Sequence, residues 1–121
     1  MSVRTLSFVF GVGVTAACAV ALVAGQQPPA AAPGPFTAAQ ADAGRTAYMQ
    51  NCASCHGQNL AGPPALAGQA FMASWGGRTT RDLFAQVQTM PPEARGALPP
   101  EIYLNITAFI LQQNGRTPGN T

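Results

Sequence analysis

Lysine is absent from this chain, and six arginines with four acids leave only 8% of its residues charged, against about 25% in an average soluble domain. A chain so poor in charge offers no basic patch for nucleic acid and no charged ring to steer a partner over long range. Histidine and tryptophan each occur once, as His56 and Trp75, and cysteine three times, as Cys18, Cys52 and Cys55. A tetrahedral zinc site needs a second cysteine pair or further histidines at ligand spacing, so this inventory argues against zinc. Strand-like alternation is missing around Cys52 and Cys55, which argues against a thioredoxin-like redox pair in a βαβ setting. What the chain has in quantity is glycine and proline, 13 and 11 residues, about a fifth of its 121. That proportion predicts ordered loops between a few helices, in one domain, with 47% apolar residues supplying a modest core.

Cys52-Ala53-Ser54-Cys55-His56 is the C-x-x-C-H signature of c-type haem attachment. Thiols three positions apart can add across the two vinyl groups on one side of a porphyrin, and the residue after the second thiol is then carried beneath the iron. His56 is thereby predicted as an axial iron ligand, with Cys52 and Cys55 as covalent anchors of one haem c. A short structural disulfide leaves the adjoining histidine without a purpose. The haem supplies much of the centre of so modest a core, and the chain without it should be poorly folded.

Residues 1–25 read as a separate unit. Arg4 precedes an uncharged run from Thr5 to Gly25, rich in Val, Ala, Leu and Phe, and Val23-Ala24-Gly25 offers small residues for cleavage before Gln26, the pattern of a secretory signal peptide. Two other readings stand: a retained anchor, since about 20 apolar residues can span a bilayer, or lipidation at Cys18 after Thr15-Ala16-Ala17. Each places the mature domain outside the cytoplasm, free in the periplasm or anchored to the membrane and facing it. Removing the signal leaves Cys52 and Cys55 as the only thiols. An oxidising compartment would close them into a disulfide unless dedicated machinery adds haem. Residues 26–36 follow as a mobile Gln/Pro/Ala linker, 37–115 as the folded domain and 116–121 as a flexible tail.

Thr37-Ala38-Ala39-Gln40 has the form of a capping box and predicts a helix over about 38–50. Gly44 and Tyr48 lie four apart on one face of it and Cys52 four further on, so this helix delivers the chain to the haem. A later helix is predicted from about Thr80 to Gln88, with Asp82 in its first turn and Leu83, Phe84 and Val87 facing inward. The last one starts at Pro99 or Pro100, carries Ile102, Ile106, Phe109 and Ile110 at i, i+4, i+7 and i+8, and stops at Asn114-Gly115.

Over about 80 residues, Thr37 to Gly115, these features resemble the class I c-type cytochromes. In that family the first helix crosses the last at a glycine, with an aromatic residue four later and the first haem cysteine four after that, the places of Gly44, Tyr48 and Cys52. Ile106, Phe109 and Ile110 occupy the aliphatic, aromatic and aliphatic places of the last helix. The resemblance implies an all-α cytochrome c fold, three or four short helices and ordered loops wrapped around one covalently bound haem. It implies that Pro64, in Pro64-Ala65-Leu66-Ala67-Gly68, offers its carbonyl to the second ring N–H of His56, fixing the tautomer and strengthening the imidazole as a donor. Trp75 is expected in the haem pocket or in plain core packing. Met90, in Thr89-Met90-Pro91-Pro92, matches the Met-Pro turn on which the family presents its sixth iron ligand; Met72 is the second candidate, and Met49 lies on the first helix beside the attachment site.

Histidine with methionine raises a haem potential and fills both axial positions, which suits outer-sphere electron transfer and leaves no place for oxygen or peroxide. The expected function is a monohaem carrier of single electrons between exported redox proteins, not an enzyme. The Leu60–Trp75 and Met90-Pro91-Pro92 stretches are similar to the small bacterial cytochromes and cytochrome domains that accept electrons from quinoprotein dehydrogenases, and a terminal oxidase is the expected acceptor. Docking of the monomer should use a small neutral patch, weakly and with little dependence on salt. Two alternatives are a fixed cytochrome subunit of a membrane-bound dehydrogenase or oxidase complex, if residues 5–25 are kept, and an open-site haem enzyme or gas sensor, if Met90 is not a ligand.

Overall fold

The computed structural model describes residues 34–119. The signal peptide expected over residues 1–25, Cys18 and most of the linker lie outside the described residues.

Thr37 opens the first helix, α1 (Ala38–Asn51). Its hydroxyl oxygen accepts from the Gln40 N–H at 3.1 Å, and the Gln40 side-chain oxygen accepts from the Thr37 N–H at 2.8 Å, so two end groups that no helical carbonyl or amide can reach are satisfied. Thr37→Ala should cost about 1 kcal/mol, read as a fall of roughly 4–8 °C in the melting midpoint for a domain of this size. Along α1, Ala41, Gly44, Ala47 and Tyr48 form the buried stripe. The helix runs straight into a single turn, α2 (Ala53–His56). Then come α3 (Gly68–Trp75), α4 (Thr80–Val87), a 3-10 turn at Pro92–Ala94, and α5 (Pro100–Gln113). Among the described residues there is no strand, only an isolated bridge between Thr37 and Gly119.

The core is built where α5 crosses α1. Tyr103, Ile106, Phe109 and Ile110 on α5 are all at most 2% exposed, each such side chain contributing about 1.5–3 kcal/mol by leaving water. The approach is close because Gly44 has no side chain: a Cβ there would collide with the Asn105 carbonyl oxygen and lie 2.9 Å from Phe109 Cβ. One turn on, the Tyr48 and Phe109 rings meet with centroids 5.4 Å apart and planes tilted by 53°, an arrangement aromatic quadrupoles favour.

The all-α architecture agrees with the expectation, with some differences in detail. Five α-helices stand among the described residues, because two short ones, α2 and α3, lie between the first and the Thr80 helix, where the sequence predicts none. On α4, Leu83 and Val87 are buried, while Phe84 is only half-buried. The linker and tail expectations are corrected at both ends of the domain. Phe36 is 5% exposed and belongs to the core, and its carbonyl accepts the Gly119 N–H at 2.7 Å. Residues 116–119 are therefore part of the folded unit: burying the Phe36 ring brings its backbone against the chain that leaves α5, and the two segments pair.

Candidate haem-binding site

Cys52 ends α1 and begins α2: its N–H donates to the Tyr48 carbonyl at 2.8 Å, and its carbonyl accepts from the His56 N–H at 2.9 Å. The turn of α2 thus follows from two consecutive helical bonds. The Tyr48 hydroxyl donates to the Gly57 carbonyl at 2.7 Å and fastens the exit of this turn to α1. Burial, with a smaller contribution from Cys52, pushes the Tyr48 hydroxyl up to about 12. That bond therefore stabilises the fold fully below the ordinary tyrosine value near 10 and is lost as pH rises through about 12. Burial first, and the neighbouring Cys55 second, push the Cys52 thiol up to about 11, so at neutral pH it is a neutral thiol. Both cysteines are free.

The chain after His56 folds back on the turn. The Gly62 N–H donates to the His56 carbonyl at 2.7 Å, and a Cβ on Gly62 would lie 2.6 Å from the Cys55 carbonyl oxygen, so only glycine lets this loop lie so close. Pro64 follows, and its carbonyl oxygen is 3.0 Å from His56 Nδ1. A carbonyl only accepts, so Nδ1 is the donor in this contact, and in the neutral ring the lone pair then lies on Nε2. On the other side, α4 is capped by Thr79, whose hydroxyl oxygen accepts the Asp82 N–H at 3.1 Å. Hydrogen bonds from the Thr79 side chain and then its backbone hold the Asp82 carboxyl below its ordinary range. At the far end of α4 the Met90 N–H donates to the Val87 carbonyl at 3.0 Å, so Met90 leaves the helix in a set direction.

Cys52, Cys55, His56, Pro64, Trp75 and Met90 all line one cleft, whose apolar walls come from Leu66, Leu83, Val87, Ile106 and Ile110. The cleft and the solvent space at its mouth together enclose about 840 Å³. Two thiols, an imidazole and a thioether meet in this apolar cleft, groups of the kinds that could hold a covalently attached haem. Met72, 45% exposed, and Met49, 41% exposed, are not among the lining residues. Trp75 lines the same cleft and stacks on Phe71 at 6.3 Å, with the Arg78 guanidinium 4.9 Å from its ring centre. Among the described residues no group of three His, Cys, Asp or Glu could hold a metal ion by itself.

A family model described as cytochrome c oxidase, cbb3-type, subunit III matches residues 39–110, more than half of the chain. The chain belongs to this family. Its domain is a small class I c-type cytochrome with covalently bound haem c, and the C-x-x-C-H spacing of Cys52 and Cys55 fits that attachment. The function of such a domain is haem-based electron transfer, the family implies redox partners in an oxidase complex, and cytochrome c domains are typically exported or face the periplasm. No curated protein and no solved structure matches the chain. Among the described residues no helix is long and apolar enough to cross a membrane.

Two residues of this cytochrome domain escape sequence reasoning. Asn114, legible only as a helix stop, donates from Nδ2 to the Leu66 carbonyl at 2.9 Å and to the Ile110 carbonyl at 2.8 Å, and accepts the Gly68 N–H at 3.0 Å. It fastens the loop that carries Pro64 to the end of α5. Asn114→Ala should destabilise the domain by about 1–3 kcal/mol, from lost bonds and unpaired loop groups, measurable by thermal melting of the haem-loaded protein. Tyr103 is the other: its hydroxyl donates to the Met90 carbonyl at 2.8 Å and accepts the Leu98 N–H at 3.3 Å. The set Tyr103, Ile106, Thr107, Ile110 at i, i+3, i+4 and i+7 is the signal that could have found its inward direction.

Proposed function

We propose that the domain carries single electrons, with haem anchored by Cys52 and Cys55 and the iron held between His56 Nε2 and Met90 Sδ. The single observation that supports this most is the meeting of all four side chains at one apolar cleft. When bound there, haem supplies a reversible one-electron ferric/ferrous couple. The Pro64 carbonyl keeps the His56 proton on Nδ1 and so makes Nε2 the permanent donor. The Met90 thioether would be a soft ligand that favours the ferrous state and raises the potential, and iron held by both His56 and Met90 would suit electron transfer over substrate chemistry. Ala53, Ser54 and the loops 57–64 and 90–98, neutral apart from Glu93 and Arg95, would surround the haem edge through which a partner exchanges electrons. Docking there would be weak, with little salt dependence.

The export signal at residues 1–25 and cleavage before Gln26 complete this reading and give a periplasmic carrier. The family match favours a second one, a fixed subunit that serves a terminal oxidase. Intact mass of the exported protein separates them. A chain starting at Gln26 plus one haem in the soluble fraction is the expected result; a chain that keeps residues 1–25, found with membranes, favours the fixed subunit. A chain without added haem mass after export through a competent haem-attachment pathway contradicts both.

A further inference from the structure

We propose that Tyr103 is a positioning residue for the sixth iron ligand: from α5, its one hydroxyl ties together the two ends of the Met90–Leu98 loop and holds Met90 over the cleft. This rests on the reading of Met90 as that ligand. The hydroxyl uses its proton on the Met90 carbonyl at 2.8 Å and a lone pair on the Leu98 N–H at 3.3 Å, so a single atom closes the loop at its first and last residues. The bonds inside the loop and its approach, Ala94 N–H to Pro91 carbonyl at 3.0 Å and Gly96 N–H to Gln88 carbonyl at 3.0 Å, shape the segment but do not fix it to another helix. Tyr103 does. Its ring is 2% exposed and sits on the helix that the Gly44 crossing locks to α1, so the point of attachment is rigid. Met90 itself is half-buried at the edge of the cleft.

The chemistry makes such a tie consequential. A thioether is a weak ligand, and its share of time on the iron depends on the loop that presents it. Without the hydroxyl, the Met90 carbonyl and the Leu98 N–H lose their partner and are satisfied most readily by water. The loop would then sample positions further out, and Met90 with it. The ring of Tyr103→Phe keeps the packing, so the variant isolates the hydroxyl.

The test uses the haem-loaded protein and measures carbon monoxide capture by the reduced form, with the near-infrared sulfur-to-iron band of the oxidised form. Capture needs the sixth position to open, so its rate follows the open fraction. Tyr103→Phe should raise it about tenfold, the scale of two lost hydrogen bonds, and weaken the band. Thr37→Ala, which lowers stability from the far end of α1, should leave both readouts as in the wild type. In a Met90→Ala background, Tyr103→Phe should change capture no further, because the residue works through Met90. A wild type with the band and a Tyr103→Phe variant that captures carbon monoxide within a factor of about two of it overturns the proposal for Tyr103 alone. A tenfold rise that persists in the Met90→Ala background also overturns it. A wild type without the band overturns the Met90 reading and this one with it.

Discussion

Met90→Ala should abolish the near-infrared sulfur-to-iron band of the oxidised cytochrome, open its reduced form to carbon monoxide and lower its potential. The fall should be on the order of a few tenths of a volt, a sizeable part of the roughly 0.8 V that axial ligands span. The reason is specific to sulfur: the thioether favours the ferrous state, and alanine leaves the position to water or an added ligand. The helices should survive, because the loop is held through the backbone carbonyl of Met90, which alanine keeps. Far-ultraviolet circular dichroism then reports an intact fold beside a changed iron. Met72→Ala is the matched comparison. Met72 is 45% exposed and outside the cleft, so band, potential and carbon monoxide behaviour should all stay as in the wild type; loss of the band in this variant instead would move the ligand assignment to Met72.

Gly44→Val should be the most destabilising single change in the domain. Even the first atom of a side chain at this position meets the Asn105 carbonyl group and comes within 2.9 Å of Phe109 Cβ. Both helices would have to move apart, and with them the Tyr48–Phe109 ring pair at 5.4 Å. Overpacking of this kind costs about 3 kcal/mol or more where backbone is the obstacle, or roughly 10–20 °C in the melting midpoint of a domain this small. The effect should extend to the haem site. Tyr48 lies one turn beyond Gly44, and its hydroxyl holds the Gly57 carbonyl, so a displaced α1 misaligns the attachment turn. Thermal melting of the haem-loaded variant, with the yield of covalently attached haem during export, checks both consequences.

What was legible in the sequence is what local chemistry and helical periodicity decide. The capping box at Thr37 and Gln40 needs only residues three apart, and the spacing of Gly44, Tyr48 and Cys52 is one helix face read at four-residue steps. The cleft residues were legible because haem attachment imposes a motif, and because Met90 and Pro64 stand in short proline turns. Helix α3 was not. It starts at Gly68 with φ at 80° and has no side chain capping its first turn, so the start signals that exposed α1 and α4 are missing. Tyr103 and Asn114 were illegible for another reason: their partners are 13 and 48 residues away, and nothing in the neighbouring sequence marks a bond across that distance. The pairing of Phe36 with Gly119 is equally non-local, and composition alone made both segments look like linker and tail.

The most direct test of the account is the near-infrared absorption spectrum of the oxidised, haem-loaded wild type at neutral pH. His56 is the only histidine in the chain, so bis-histidine ligation from within the molecule is closed to it, and the spectrum has to distinguish sulfur from an open or water-filled position. Ligation by His56 and Met90 predicts the sulfur-to-iron band. A spectrum without that band, in protein whose haem is covalently attached, would contradict the His56/Met90 carrier and place ligand chemistry at an open iron in its stead.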